Sequence, residues 1–210
     1  MLVGIHAEWG LGQSLDSVMK FQKPLLMGAA SADLSFETGK EIARQMSTLG
    51  IHINFAPNGD FDLQSTDYPN SLRYFSDQSL RATERAISFT KGLQIGGVLA
   101  CAKHLPIGNN TQQTLKKDTS QFLNLNPIDS IGLAVFQALS EAGVDGILTS
   151  HLHIKPVNDR ATITQLFASD ILRNNLHFKG LIFGEIPFIQ KIAGDQPDGE
   201  IEKLALEMGH

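Results

Sequence analysis

"GVLACAKHLPIGNNTQQ", residues 97–113, is an apolar run that stops at a lysine and a histidine. A proline and a glycine follow, then two asparagines and two glutamines. A strand with one wet face alternates apolar and polar residues. A run that is apolar at almost every position reads instead as a parallel strand covered on both faces. Lys103 and His104 then fall at its C-terminal end, and the amide-rich segment becomes the loop that leaves it.

Four more segments read the same way: "LVGIHAE" (2–8), "IHINFAP" (51–57), "GVDGILTSH" (143–151) and "GLIFGE" (180–185). Helical patterns separate them. One runs from about Asp33 to Leu49, with Phe36, Ile42, Ala43, Met46 and Leu49 on one face and Gly50 as the stop. A second runs from about Asp77 to Ile95, with Leu80, Ile87 and Leu93 as candidate core positions. A third has Asn126 as N-cap and Pro127 at its first position, then Ile131, Val135, Leu139 and a terminating Gly143. A fourth spans roughly 163 to 175 and a fifth begins near Asp198. Repeated strand–helix units imply right-handed crossovers and a parallel sheet.

The polar residues choose between an open sheet and a barrel. His6 and Glu8, Asn58 and Asp60, Lys103 and His104, His151 and His153, and Glu185 all sit at or just past strand C-termini. That is the functional face of a (β/α)8 barrel. An open sheet would usually show a glycine-rich phosphate loop, and neither G-x-G-x-x-G nor G-x-x-x-x-G-K occurs. The expectation is an α/β fold over residues 1–210: a single domain forming an incomplete TIM-type barrel, with about five to six of its eight strand–helix units.

Composition narrows the function classes. The 210 residues are 42% hydrophobic and 19% charged, as in a globular domain, with no low-complexity tract or internal repeat. A net charge of −5 argues against a nucleic-acid or anionic-membrane footprint. No apolar run reaches the roughly 18 residues of a membrane span. "MLVGIHAEWG" lacks the features of a secretory signal, so the cytoplasm is the default compartment. The lone Cys101 lies in an apolar run and reads as a buried, inert thiol.

Three constellations carry chemistry, each beside a plainer alternative. Glu8 and Glu185 could face each other as the two carboxylates of a glycosidase, or be loop acids paired with Lys103 or Arg73. His151 and His153, with His104 and His6, could surround a metal, although strand-end histidines more often bond to neighbouring groups. Lys103 and His104 could hold substrate hydroxyls, or form a loop ion pair and a packed ring. Trp9 could be a sugar platform or core filler.

The segments "GIHAEWGLG", "LGIHINFAPNGDFD", "LRYFS", "CAKHLP", "AGVDGILTSHLHI" and "FKGLIFGE" occur in the order of glycoside hydrolase family 3. The chain resembles that family's N-terminal barrel, of the β-N-acetylglucosaminidase type that reads D-A-E-W-G. The resemblance implies a retaining hydrolase of terminal β-linked amino sugars, without metal or cofactor. Its substrate would be an amino-sugar glycoside or cell-wall-derived saccharide. Arg73, Lys103, His104 and Asp60 match the family's sugar-binding positions.

Other positions depart from it. His6 stands where the family's sugar-binding aspartate belongs. Gly108 and Asn110 replace the proton-transferring histidine and its aspartate, and "TLKK" replaces the following D-S-H. Glu185 occupies the place of the nucleophilic aspartate, and its extra methylene moves the oxygens by roughly 1 Å. Asn109, Asn110, Gln112 and Gln113 cannot transfer a proton near neutral pH. The loop reads as a sugar-hydrolase loop that has lost its catalytic groups, so activity is expected to be weak or absent. The family barrel also has segments before and after those seen here. The chain therefore reads as a fragment of a longer protein, periplasmic in some parents, or as a partial barrel needing an oligomeric partner, and alone it should associate or aggregate.

Overall fold

The computed structural model describes residues 1–59, 70–105, 130–149 and 166–184, with 199, 200, 203 and 206. All five apolar runs contain a strand: β1 (Gly4–Ile5), β2 (Ile53–Asn54), β3 (Leu99–Leu105), β4 (Gly146–Thr149) and β5 (Leu181–Gly184). The two shortest understate the pairing. His52 and Phe55 donate to the carbonyls of Val3 and Ile5, and Cys101 and Lys103 donate to those of Ala56 and Pro57.

Every neighbouring pair is parallel, and the spatial order β1-β2-β3-β4-β5 is the order of the chain. A doubly wound sheet reverses its order at a switch point; this one does not. Right-handed crossovers that always step the same way put every helix on one face and curl the sheet toward the other. The result is the curled half-barrel of an incomplete TIM-type fold.

Side chains of β3 alternate between the two faces accordingly. Ala100 and Ala102 join the main core, together with Ile147 and Ile182 of the next strands. The helices supply Ile42, Met46, Phe89, Leu93, Phe136, Leu139 and Leu172 to the same core. Ile53, Cys101 and Leu148 form a second, smaller cluster, with Phe55, Leu99 and Phe183 partly buried against it. Burial pushes the Cys101 thiol far above its ordinary range, which makes it the inert thiol expected.

The helices are α1 (Pro24–Ala29), α2 (Ala32–Thr48), α3 (Ser79–Ile95) and α4 (Ser130–Glu141). A π-helical segment, Leu166–Asn175, replaces the expected fourth helix. Of the described residues of the expected fifth, Gly199 is in a turn and Glu200, Lys203 and Leu206 are helical. Asn126 and Pro127 lie outside the described residues. Ser31 caps α2 by accepting from Leu34 N at 3.2 Å.

Two expected core leucines are exposed: Leu49 at 55% and Leu80 at 88%. Leu49 follows the last turn of α2 and has left its buried face. Leu80 lies two residues, about 200° of helical rotation, from Ala82. The buried face of α3 is Ala82, Ala86, Phe89 and Leu93. Small residues there let α2 and α3 approach closely, and a Cβ on Gly39 would stand 2.5 Å from the Phe89 carbonyl oxygen. The short α1 was not anticipated, although Pro24 at its first turn and Ser31 beyond its end bracket it.

Asp145 fixes the other end of β3. Its Oδ2 accepts from Ala100 N and from Gln94 Nε2, both at 2.9 Å, while Gln94 also donates to the Gly143 carbonyl at 2.7 Å. This clamp sets where β3 starts relative to β4, and therefore where Lys103 ends up.

Candidate functional site

The site is built from the segment after β1 outward. Asn54, fully buried on β2, accepts from Ala7 N and donates to Ala7 O, both at 3.0 Å. That reciprocal pair holds the chain as it leaves β1, and Glu8 is the next residue. Its backbone N–H donates to Gln13 Oε1 at 2.6 Å. The Glu8 side chain is 1% exposed, so its charge has to be answered inside the protein.

Two cations answer it. Arg73 donates from Nε to Oε2 at 3.0 Å and from Nη2 to Oε1 at 2.6 Å, the fork-to-fork geometry of a strong pair. Lys103 Nζ lies 2.6 Å from the same Oε1. Burial alone would raise the Glu8 pKa, but the Arg73 hydrogen bonds and the charges of Lys103 and Arg73 outweigh it and hold the carboxyl at about 2. Lys103 is pulled in two directions: burial lowers its pKa and the Glu8 carboxylate raises it, with burial the larger. The carboxylate contact opposes the effect of burial without outweighing it.

Lys103 Nζ also lies 2.7 Å from His6 Nδ1. His6 is exposed, and its ring sits 5.2 Å from that of Phe55. The β3 end is irregular: the register with β4 shifts between Lys103 and Leu105, and the Lys103–His104 peptide is cis. Gly59 N donates to Lys103 O at 2.7 Å, so the segment after β2 is tied to the same point.

Arg73 closes a short 3-10 turn, Asn70–Arg73, and is followed by buried Tyr74 and Phe75. α1 packs there through Gly28, whose missing side chain leaves room for the Phe75 carbonyl. Any Cβ at Gly28 would overlap that backbone, so Gly28→Ala has to push residues 73–75 away from α1. We expect Gly28→Ala to lower the melting temperature by several degrees and to loosen the Arg73–Glu8 pair. A crystal structure of the variant with that pair intact at the parent's melting temperature would contradict this.

The candidates from sequence separate into three groups. Arg73 and Lys103 converge on one carboxylate oxygen, with His6 against Lys103. His104 follows Lys103 half-buried. Asp60, Glu185, Gly108, Asn110, His151 and His153 lie outside the described residues. Lys103 has no accessible side-chain surface, whereas Arg73 is 32% exposed, so Arg73 is the cation solvent reaches. Glu8 follows the plainer of its two readings, as the partner of Lys103 and Arg73. A carboxyl held near 2 is no proton donor at neutral pH; its work is to aim the two cations.

Trp9 is half-buried, with Lys23 Nζ 5.4 Å from its ring centroid. Among the described residues, no three His, Cys, Asp or Glu side chains gather as a metal cluster. None of their helices is long and apolar enough to cross a membrane. The sequence reading missed Asn54 and Gln13, which place Glu8. A polar residue inside the otherwise apolar "IHINFAP" was the available signal.

Known proteins share this arrangement of segments. A β-hexosaminidase from Neisseria meningitidis serogroup C is 25% identical over 188 residues, covering 87% of this chain and 51% of that protein. The chain thus spans about half the length of the curated relatives it matches. A glycoside hydrolase family 3 β-N-acetylglucosaminidase from Paenibacillus sp. superposes with a TM-score of 0.79 at 23% identity, covering all of this chain and 41% of that one. NagZ from Neisseria gonorrhoeae, solved with N-trifluoroacetyl-D-glucosamine, superposes with a TM-score of 0.75 at 19% identity, covering 99% and 63%. The glycosyl hydrolase family 3 N terminal domain matches residues 1–210. The chain belongs to the glycosyl hydrolase family 3 N-terminal domain family.

Proposed function

We propose that the chain is the sugar-recognising part of a β-N-acetylhexosaminidase-type glycoside hydrolase whose catalysis is impaired or lost. One observation carries the recognition half: Arg73 and Lys103, from segments 30 residues apart, meet on the Glu8 carboxylate at the C-terminal end of the sheet. Arg73, the more exposed cation held in place by that cluster, suits sugar hydroxyls and an N-acetyl carbonyl. His104, Asp60 and His6 would complete the contacts, with a terminal amino-sugar glycoside, such as a cell-wall-derived saccharide, as ligand. Relatives named β-hexosaminidases and a neighbour solved with an amino-sugar derivative support that class.

The catalytic half rests on residue types. Glycoside cleavage with retention needs a carboxylate to attack the anomeric carbon and a proton for the leaving oxygen. Glu185 can supply the first. Gly108 and Asn110 cannot supply the second. A half-barrel also leaves strand edges to be covered, by the rest of a longer chain or by a second copy.

The binding half is tested by titrating N-acetylglucosamine into the chain and into Arg73→Ala. A lost charge-assisted hydrogen bond is worth about 1.5–3 kcal/mol, so roughly 10- to 100-fold weaker binding is expected. Equal binding by a variant that melts like the parent would remove Arg73 from the site.

A further inference from the structure

The β1–β2 ladder breaks where the site begins. Val3 O accepts from Ile53 N and Ile5 O from Phe55 N, a step of two residues on each strand. The next donor in that series would be residue 57, facing the carbonyl of Ala7. Residue 57 is a proline and has no N–H to give. Pro57 serves the other neighbour instead, its carbonyl accepting from Lys103 N at 3.0 Å.

Asn54 supplies what is missing. Its Nδ2 donates to Ala7 O and its Oδ1 accepts from Ala7 N, both at 3.0 Å. The Ala7 groups leave the carboxamide one orientation, since the N–H needs its oxygen and the carbonyl needs its NH2. Gly10 N reaches the same carbonyl at 3.3 Å, from the loop and not from the sheet. Asn54 shares its face of β2 with Ala56, in a layer where Ala7, Ala56, Ala100 and Ala102 are all fully buried. An aliphatic side chain would suit that layer. An amide is stable there because both of its ends are bonded.

We infer that Asn54 is a positioning residue: its carboxamide stands in for the rung that Pro57 cannot form, and so sets where Glu8 offers its carboxylate to Arg73 and Lys103. Glu8 follows Ala7 directly, so a fixed Ala7 peptide fixes the starting point of its side chain. Gln13 takes the Glu8 N–H at 2.6 Å from the loop side, but only Asn54 refers that point to the sheet. Lys103 is referred to the same stretch of chain through Pro57. Residues 54–57 thereby place both partners of the 2.6 Å Glu8–Lys103 pair, which come from either side of β2. Asn54 has no accessible surface, so its effect on a ligand passes through Glu8. That effect rests on the amino-sugar reading above; the placement of Glu8 does not.

The test follows the Glu8 side-chain carboxyl by carbon NMR in the whole chain, its signal being assigned by its loss in Glu8→Gln. In the parent the carboxyl, held at about 2, stays ionised from pH 7 down to pH 4. In Asn54→Ala, burial, which raises the Glu8 pKa, is less opposed by Arg73 and Lys103, and the carboxyl is expected to titrate inside that window. Leu172→Ala, a core change in the segment before β5, should also lower the melting temperature but leave Glu8 ionised. A Glu8 that stays ionised to pH 4 in Asn54→Ala, or shifts equally in Leu172→Ala, overturns the inference. In the parent alone, the Asn54 carboxamide protons should exchange slowly with water; rapid exchange overturns it without any variant having to fold. N-acetylglucosamine should bind Asn54→Ala about tenfold more weakly, the low end of the loss expected on removing the Arg73 hydrogen bonds. Unchanged affinity beside a shifted Glu8 overturns the part of Asn54 in binding. No binding by the parent, with Glu8 shifted in the variant, removes the amino-sugar reading and leaves the placement of Glu8 by Asn54 standing.

Discussion

Glu8→Gln should cost about 3–5 kcal/mol of stability, the range for removing one partner of a buried ion pair. The substitution keeps the size of the side chain and one acceptor oxygen, but it leaves Lys103 with no accessible surface and no counter-charge. For a chain of this length that corresponds to a fall in melting temperature of roughly 6–20 °C. The double variant Glu8→Gln/Lys103→Met should be markedly less destabilised than the two single changes added together, since the second change removes the stranded charge. The acid limb gives an independent reading. The Glu8 carboxyl is held at about 2 in the folded chain against an ordinary 4.5, so between those values the unfolded chain binds more protons. Its contribution, roughly 3 kcal/mol, is fully present above about pH 4.5 and disappears as the pH falls toward 2. The stability gap between parent and Glu8→Gln should therefore close over that window. A gap below 1 kcal/mol at pH 7, or one that does not narrow in acid, would mean that Glu8 is not the buried anion described here.

The sequence carried the sheet well and the site in part. Strands buried on both faces leave a continuous apolar signature, and each of "LVGIHAE", "IHINFAP", "GVLACAKH", "GVDGILTSH" and "GLIFGE" yielded a strand. Helix faces were harder to read. Leu80 looked like a core residue because it is large and apolar, yet α3 buries alanines because Gly39 and Gly92 bring α2 against it. Hydrophobicity does not report how closely two backbones approach. In the site, Arg73 and Lys103 were legible as matches to a family pattern. That they meet on Glu8 was present only as one of two readings of an acidic residue at a strand end. A pairing between residues 65 positions apart leaves no local periodicity, and neither does the contact between Lys103 and His6 across 97 positions.

Turnover is where residue identity has the largest expected effect. In the two-step reaction a carboxylate attacks the anomeric carbon while a proton goes to the departing oxygen. On the proposed reading Glu185 takes the nucleophile's place, and glutamate is chemically able to attack. On the same reading the proton has no donor at the expected place, since Gly108 has no side chain, and Asn109 and Asn110 carry amides that do not titrate near neutral pH. General acid catalysis contributes roughly 100- to 10,000-fold. That loss falls on natural leaving groups, which depart as alkoxides unless protonated, and largely spares nitrophenolate, which departs as a stable anion. The expectation is no measurable hydrolysis of natural β-N-acetylglucosaminides and at most trace activity on nitrophenyl N-acetyl-β-glucosaminide. Whatever trace exists should vanish in Glu185→Ala. Comparing both substrates in parent and variant separates the two halves of the mechanism. A preserved aryl activity that needs Glu185 places the defect in proton transfer. Brisk hydrolysis of the natural glycoside, lost in Glu185→Ala, would mean that another group gives the proton and that the loop after Lys103 and His104 remains catalytic.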